Sequence, residues 1–161
     1  MFSRLASRLA LTYRGAVALA AYRCYVRSRN SVDLDEAIAA FKTLVILMPD
    51  THQRKAAVLH IYGMLLSDRI EHAGAASDFD DLIDTYKTAV RVADSRDTPV
   101  YLGKLGKGYA SRFQETAQLP DADKAVDVLM RAVDATTEEG GTKADRLCDV
   151  GDILLARLQR S

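Results

Sequence analysis

The chain has 161 residues, equal numbers of acidic and basic side chains, and 48% hydrophobic residues. That is one globular domain or one short solenoid with room for a core. With no net charge it has no polyelectrolyte character to hold nucleic acid through bulk electrostatics. Nine Gly and three Pro are few, and with abundant Ala and Leu they favour helix over strand.

Residues 1–30 hold six Arg (Arg4, Arg8, Arg14, Arg23, Arg27, Arg29) and no acid, so a basic leader precedes an acidic body. Residues 1–29 read as a long helix without Pro. Two readings stand: a mitochondrial transit peptide, rich in Arg and Ser, or the first, degenerate helix of a repeat array. Arg14 and Arg23 interrupt the best apolar run, so no membrane span is expected. Cys24 and Cys148 lie far apart with no CxxC spacing. They suggest a reduced, intracellular setting and side chains that pack rather than react.

A second helix is expected over 33–48, with Asp33 as N-cap, Glu36 completing a capping box, and Leu34, Ile38, Phe41 and Val45 as its apolar stripe. Pro49 stops it. A third runs from about His52 to Ile70. The fourth runs from Asp78 to about Ala93 on a stripe of Phe79, Ile83, Tyr86 and Val90. A fifth spans Thr98 to Phe113, with Pro99 in its first turn. The sixth starts at Asp121, carries Ala122, Val126, Leu129 and Val133, and ends before Gly140-Gly141. A seventh begins near Thr142. No alternating pattern is long enough for a strand.

These helices repeat. Asp33-Leu-Asp-Glu-Ala-Ile returns as Asp78-Phe-Asp-Asp-Leu-Ile and as Asp121-Ala-Asp-Lys-Ala-Val, at spacings of 45 and 43 residues. The odd-numbered helices repeat too. Leu59, Tyr62, Gly63, Leu66, Arg69 and Ile70 align with Leu102, Leu105, Gly106, Tyr109, Arg112 and Phe113. Those align in turn with Leu147, Val150, Gly151, Leu154, Arg157 and Leu158. The same register places Tyr25 on Ile70, Ala21 on Leu66, Ala18 on Gly63 and Val17 on Tyr62, while Arg14 falls on Leu59. A fixed period of this size marks a stacked helical repeat. Gly inside a helix costs about 1 kcal/mol relative to Ala, so Gly63, Gly106 and Gly151 imply close helix approach.

Leu105-Gly106-Lys-Gly-Tyr109 resembles the first helix of a tetratricopeptide repeat. Ala125-Val-x-x-Leu-x-x-Ala-Val and Leu82-Ile-x-x-Tyr-x-x-Ala-Val resemble the second. Gly63 to Leu82 and Gly106 to Ala125 are both 19 residues, longer than that family uses. The surplus is expected in the turns around Glu71–Ser77 and Gln114–Pro120. Such long-turn repeats are similar to those beside CHAT-type, caspase-like peptidase domains. The resemblance covers residues 31–161. It implies an all-α, right-handed superhelix of about seven helices in antiparallel pairs, one domain over 1–161. It also implies a concave groove lined by the odd-numbered helices, which by register holds His60, Met64, Ser67, Lys107, Ser111, Asp149 and Asp152.

No catalytic constellation assembles. Gly103-Lys-Leu-Gly-Lys-Gly108 lacks the Gly-Lys-Ser/Thr ending and the preceding strand of a phosphate loop. His52, His60 and His72 have no metal-site spacing, so neither a metal nor a cofactor is expected. The Asp pairs at 33/35, 78/80/81 and 121/123 recur in every repeat, which reads as helix caps and dipole complements rather than an acid–base dyad. Arg69, Arg112 and Arg157 recur at one register, read as structural pairs with an acid at the next helix start such as Asp78 or Asp121. The function expected is a non-catalytic protein-interaction module or scaffold in the cytoplasm. It would bind a protein or peptide, with self-association through the array ends open. The alternatives are a regulatory segment of a CHAT-type peptidase or signalling receptor, and a mitochondrial adaptor.

The two readings of residues 1–29 predict opposite behaviour. If they form the first helix, Val17, Ala21 and Tyr25 cover Leu34, Ile38, Phe41 and Val45, and deleting 1–29 exposes that stripe. The shortened protein is then expected to melt lower and aggregate in gel filtration. A monodisperse truncated form with an unchanged Tm would favour the transit peptide.

Overall fold

The computed structural model describes residues 2–73, 76–136 and 141–160. Seven α-helices and no strand occur among them, and 86% of the described residues are helical. They are α1 (Phe2–Ser28), α2 (Ser31–Leu47), α3 (Lys55–Ala73), α4 (Ala76–Val92), α5 (Thr98–Thr116), α6 (Leu119–Asp134) and α7 (Gly141–Leu158). Neighbouring helices pack pairwise, as expected of an all-α helical repeat. Two compact units result, Met1–Asp78 and Phe79–Ser161.

In the first unit α1 packs on α2, and α2 on α3. Ala18 and Tyr25 of α1 are buried, and the Tyr22 ring meets Phe41 edge-on at 6.2 Å. Val17, expected to cover α2, is instead exposed, because the adjacent Ala18 turns to the interface at the register of Gly63. The α2 stripe is wider than the sequence suggests: Leu34, Ala37, Ile38, Phe41 and Leu44 are buried and Val45 is half-buried. The N-cap of α2 is Asn30, not Asp33. Asn30 Oδ1 accepts from the Asp33 N–H at 2.8 Å, and Asn30 Nδ2 donates to Asp33 Oδ2 at 3.1 Å. The Asn30 side chain thus satisfies one free backbone donor of the first turn and is itself held by Asp33, three residues earlier than expected. At the other end Lys55, buried, donates to the carbonyls of Val45 and Met48 at 2.6 and 2.7 Å. A cation there satisfies orphan carbonyls and complements the helix dipole.

Residues 50–54 form a turn, so α3 begins at Lys55 rather than His52. The turn is closed by His52 N–H to Pro49 O and Lys55 N–H to His52 O, at 3.0 and 2.8 Å. The surplus residues of the long repeat were expected in turns. Around Gln114–Pro120 they are helical instead: α5 runs 19 residues to Thr116, and only Ala117 and Gln118 separate it from α6. Nothing in Gln114-Glu-Thr116 breaks a helix, and Pro120 is tolerated in the first turn of α6. Ala117 ends α5 in the left-handed conformation at φ 55, its N–H bonded to Phe113 O. Gly74 and Ala75, in the earlier of the two expected turns, lie outside the described residues, as does Gly140 of the expected α6 terminator. Asp134 closes α6 before that point, and Gly141 already belongs to α7.

The second unit is built around α5, whose three glycines each receive a different helix. A Cβ on Gly103 would stand 3.3 Å from Arg146 Nε of α7. On Gly106 it would stand 2.5 Å from Leu129 Cγ of α6, and on Gly108 it would meet Leu82 and Ile83 of α4 at 3.6 Å. The sequence Gly103–Gly108 is thus a packing surface on a helix. Leu129, Ala122, Ala125 and Ala132 of α6 are all 0% exposed, so small side chains bring α6 onto α5. Gly151 breaks this rule. A Cβ there would meet nothing within 4 Å among the described residues, so the close approach expected at that register is absent.

The two glycines therefore predict opposite responses to one methyl group. Gly106→Ala must displace the branch point of a buried Leu, and overpacking of this kind costs about 1–3 kcal/mol, outweighing a gain of up to about 1 kcal/mol in helix propensity. Gly151→Ala has only the gain. Thermal unfolding is expected to lower Tm for Gly106→Ala, further for Gly106→Leu, and to hold or raise it for Gly151→Ala. Equal shifts for both alanine variants would contradict this packing.

Candidate functional site

The Asp residues expected as caps of α4 and α6 are neither N-caps nor exposed. Asp78 and Asp121 lie in the first turns of these helices, 3% and 2% exposed. Each is held by the Arg nine residues earlier. Arg69 Nε and Nη2 donate to the two Asp78 oxygens at 2.6 and 2.7 Å. Arg112 does the same to Asp121 at 2.8 and 2.7 Å. Such a two-pronged contact is the strongest geometry an Arg–carboxylate pair adopts. Each Arg also reaches an acid on the even helix before it: Arg69 to Asp35 at 3.1 Å, and Arg112 to Asp80. The hydrogen bonds to Asp78 and Asp121 push both guanidinium groups above their ordinary range, against the opposing effect of partial burial. The Arg register is therefore internal structure in α3 and α5. In α7, Arg157 pairs with Asp123 of α6 at 3.1 Å.

Four of the seven expected groove residues come together. Lys107 and Ser111 of α5 and Asp149 and Asp152 of α7 line one cleft, floored by Leu129 of α6 and Ile153. It holds about 500 Å³ of open space. The Lys107 ammonium stands 3.1 Å from Asp149 Oδ2, an oxygen shielded from solvent; the approach is off hydrogen-bonding geometry, so the contact is coulombic. With Lys107 more than half exposed, such a pair contributes about 0–1 kcal/mol. It is thus available to be rearranged by a ligand at low cost.

The other three expected groove residues, His60, Met64 and Ser67, do not line this cleft. The first unit has its own, of about 990 Å³, between α1 and α3. Leu11, Gly15 and Leu19 form one wall, Val58 and Ile61 the other, and Phe41 of α2 lies in the floor. His60, Met64 and Ser67 are absent from that lining. At 3.6 residues per turn they sit about a third of the way around α3 from Val58 and Ile61. His60 and Ser67 are half-buried and Met64 is exposed. Ser67 Oγ donates to its own helix at Gly63 O. Sequence reasoning missed the α1 wall, although Leu11, Gly15 and Leu19 recur every four residues, a one-sided stripe with a small centre.

The histidines are scattered. His52 Nδ1 accepts the Arg54 N–H, and His72 Nδ1 sits 2.6 Å from Asp68 O near the end of α3. Among the described residues no three His, Cys, Asp or Glu side chains converge as metal ligands. Cys24 and Cys148 are both exposed, correcting the expectation that they pack: each lies on a solvent-facing side of its helix. Among the described residues no helix is long and apolar enough to cross a membrane. No protein-family model matches the chain, and no curated protein matches it in sequence.

Proposed function

We propose that this protein is a non-catalytic interaction module, a long-period variant of the tetratricopeptide type, that binds a protein or peptide along its odd-numbered helices. The observation that carries this reading is the recurrence of one cleft design. In each unit two odd helices frame an opening with apolar side chains of the even helix in its floor: Leu129 of α6 in one, Phe41 and Leu44 of α2 in the other. Apolar floors with a few polar groups at the rim suit an amphipathic helix or an extended peptide. The α5–α7 cleft offers one ammonium and two carboxylates, so its ligand carries both charges. The recurring acids Asp35, Asp78, Asp80, Asp121 and Asp123 are committed to arginines, which supports binding over catalysis. Burial of Ala18 and Tyr25 favours α1 as part of the first unit over a detachable leader, and with it a cytoplasmic setting.

Selection from a displayed random-peptide library on the immobilised protein tests this directly. Enriched peptides are expected to lose at least tenfold in affinity against Ser111→Arg, which fills the α5–α7 cleft, or against Gly15→Arg, which fills the other. Gly15 has nothing within 4 Å of a Cβ, so that variant is expected to fold. No enrichment, or binders indifferent to both variants, would overturn the reading.

A further inference from the structure

Among the described residues four charged side chains are buried: Lys55, Asp78, Asp121 and Arg146. Three of them have an opposite charge in reach. Asp78 and Asp121 each take both prongs of an arginine, and Lys55, which caps α2, stands 3.6 Å from Asp50. Arg146, 7% exposed, has no ion pair among the described residues. Asp149, one turn along α7, is drawn to Lys107 at 3.1 Å instead.

A buried charge without a counter-charge is costly, so such a group is ordinarily paired. Arg146 has only neutral acceptors. Its Nη1 donates to Ala132 O at 3.0 Å and to Thr136 Oγ1. The first bond caps the end of α6, which accounts for one nitrogen. Nε and Nη2 have no acceptor among the described residues. Neither is sealed off, because the fully enclosed side-chain atom without a partner is Asp149 Oδ2. A route from solvent to these two donors remains.

Thr136 sets a hydroxyl against this guanidinium. It lies between the end of α6 at Asp134 and the start of α7 at Gly141. It is half-buried, and its Oγ1 donates to Ala132 O at 2.6 Å. The sequence continues Thr137-Glu138-Glu139, so acids stand two and three residues on. Acidophilic protein kinases select their substrates by such charge patterns. Ser77 and Thr142 also have an acid three residues on, but both lie within helices, α4 and α7. Of the three, Thr136 alone joins the pattern to a non-helical position and a cation already in contact.

We propose that Thr136 is a phosphorylation site and that Arg146 receives its phosphate. Oγ1 attacks the γ-phosphorus of a nucleoside triphosphate held by the kinase, its proton passes to a base of the kinase, and the nucleoside diphosphate leaves. The phosphate carries close to two negative charges at neutral pH and three acceptor oxygens. Nε and Nη2 meet it with charge-assisted hydrogen bonds. The C-terminal end of a helix carries partial negative charge and by itself disfavours a phosphate. At the end of α6 the buried guanidinium reverses that sign. The site is separate from the α5–α7 cleft, whose lining includes neither residue, and it does not depend on peptide binding there.

The test uses the folded full-length protein, an acidophilic Ser/Thr kinase and ATP, with mass spectrometry to place the phosphate. Thr136 is expected to be modified, and Thr136→Val to lose that phosphate. Phosphorus NMR then reports on Arg146. The second ionisation of a free phosphothreonine lies at about pH 6. In the folded protein it is expected about one unit lower, because the guanidinium favours the dianion. It should return to the free value in Arg146→Gln and in denaturant. The denaturant comparison holds even if Arg146→Gln does not fold. Three results would overturn the proposal: no phosphate on Thr136 of the folded protein; the same ionisation in the folded and denatured chains; or inorganic phosphate at about 1 mM moving the Arg146 Nε signal of the unmodified protein, which would assign the site to a free anion.

Discussion

The carboxyl group of Asp121 is 2% exposed, and the architecture of the second unit depends on what neutralises it. Taking a charge out of water costs several kcal/mol unless a partner with good geometry compensates it. Arg112 compensates with two parallel hydrogen bonds, and its third contact reaches Asp80 on the preceding even helix. One side chain thus joins three helices: its own, the one before and the one after. The same device recurs in the first unit with Arg69, Asp78 and Asp35. Hydrophobic burial supplies most of the stability in such a fold but is indifferent to small slips along the helix axis. A buried forked ion pair is not indifferent, because a slip of one residue leaves both charges uncompensated. We assign to these pairs the registry of the repeat.

Close packing around α5 follows from that registry. With α6 pinned at its first turn, Leu129 falls over Gly106, where no larger residue fits. Gly103 takes Arg146 less tightly, and Gly108 faces the Leu82–Ile83 pair with room for ordinary contact. Arg146 is buried and also donates to Ala132 O and Thr136 Oγ1, so it closes the end of α6 while filling the space over Gly103. The cleft opposite is what remains between α5 and α7 once both lie on α6. Its rim is charged, and Lys107 of α5 and Asp149 of α7 meet there across the opening.

Much of this was legible in the sequence. The helix count, the period and the apolar stripes came from spacing alone, because burying one face of a helix imposes a 3.6-residue period. The Arg–Asp pairs were legible as a recurring register. Helix starts were misplaced, because Asp33, Asp78 and Asp121 look like caps in isolation. The competing signal was the acid's distance from the repeated Arg, nine residues in both Arg69–Asp78 and Arg112–Asp121, which only a tertiary contact explains. The lining of the α5–α7 cleft was legible in part. Lys107, Ser111, Asp149 and Asp152 line a cleft, whereas His60, Met64 and Ser67 lie on another side of α3, since register fixes a helix position but not which neighbour it faces. Gly151 carried the same signature as Gly106 with a different outcome, because a small residue permits a close approach without supplying the helix that makes it.

The central claim, that a buried ion pair sets the register of the repeat, is tested most directly by a double-mutant cycle on Arg112→Ala and Asp121→Ala in chemical denaturation. Removing one partner of a buried pair typically costs about 3–5 kcal/mol, and the solvent-facing side of Arg112 places this pair toward the lower figure. A coupling energy of about 2–3 kcal/mol is expected, within the range measured for residues of one network. Additivity within about 0.5 kcal/mol would show that the two side chains act independently, and the pair would then be a consequence of the helix packing rather than its determinant.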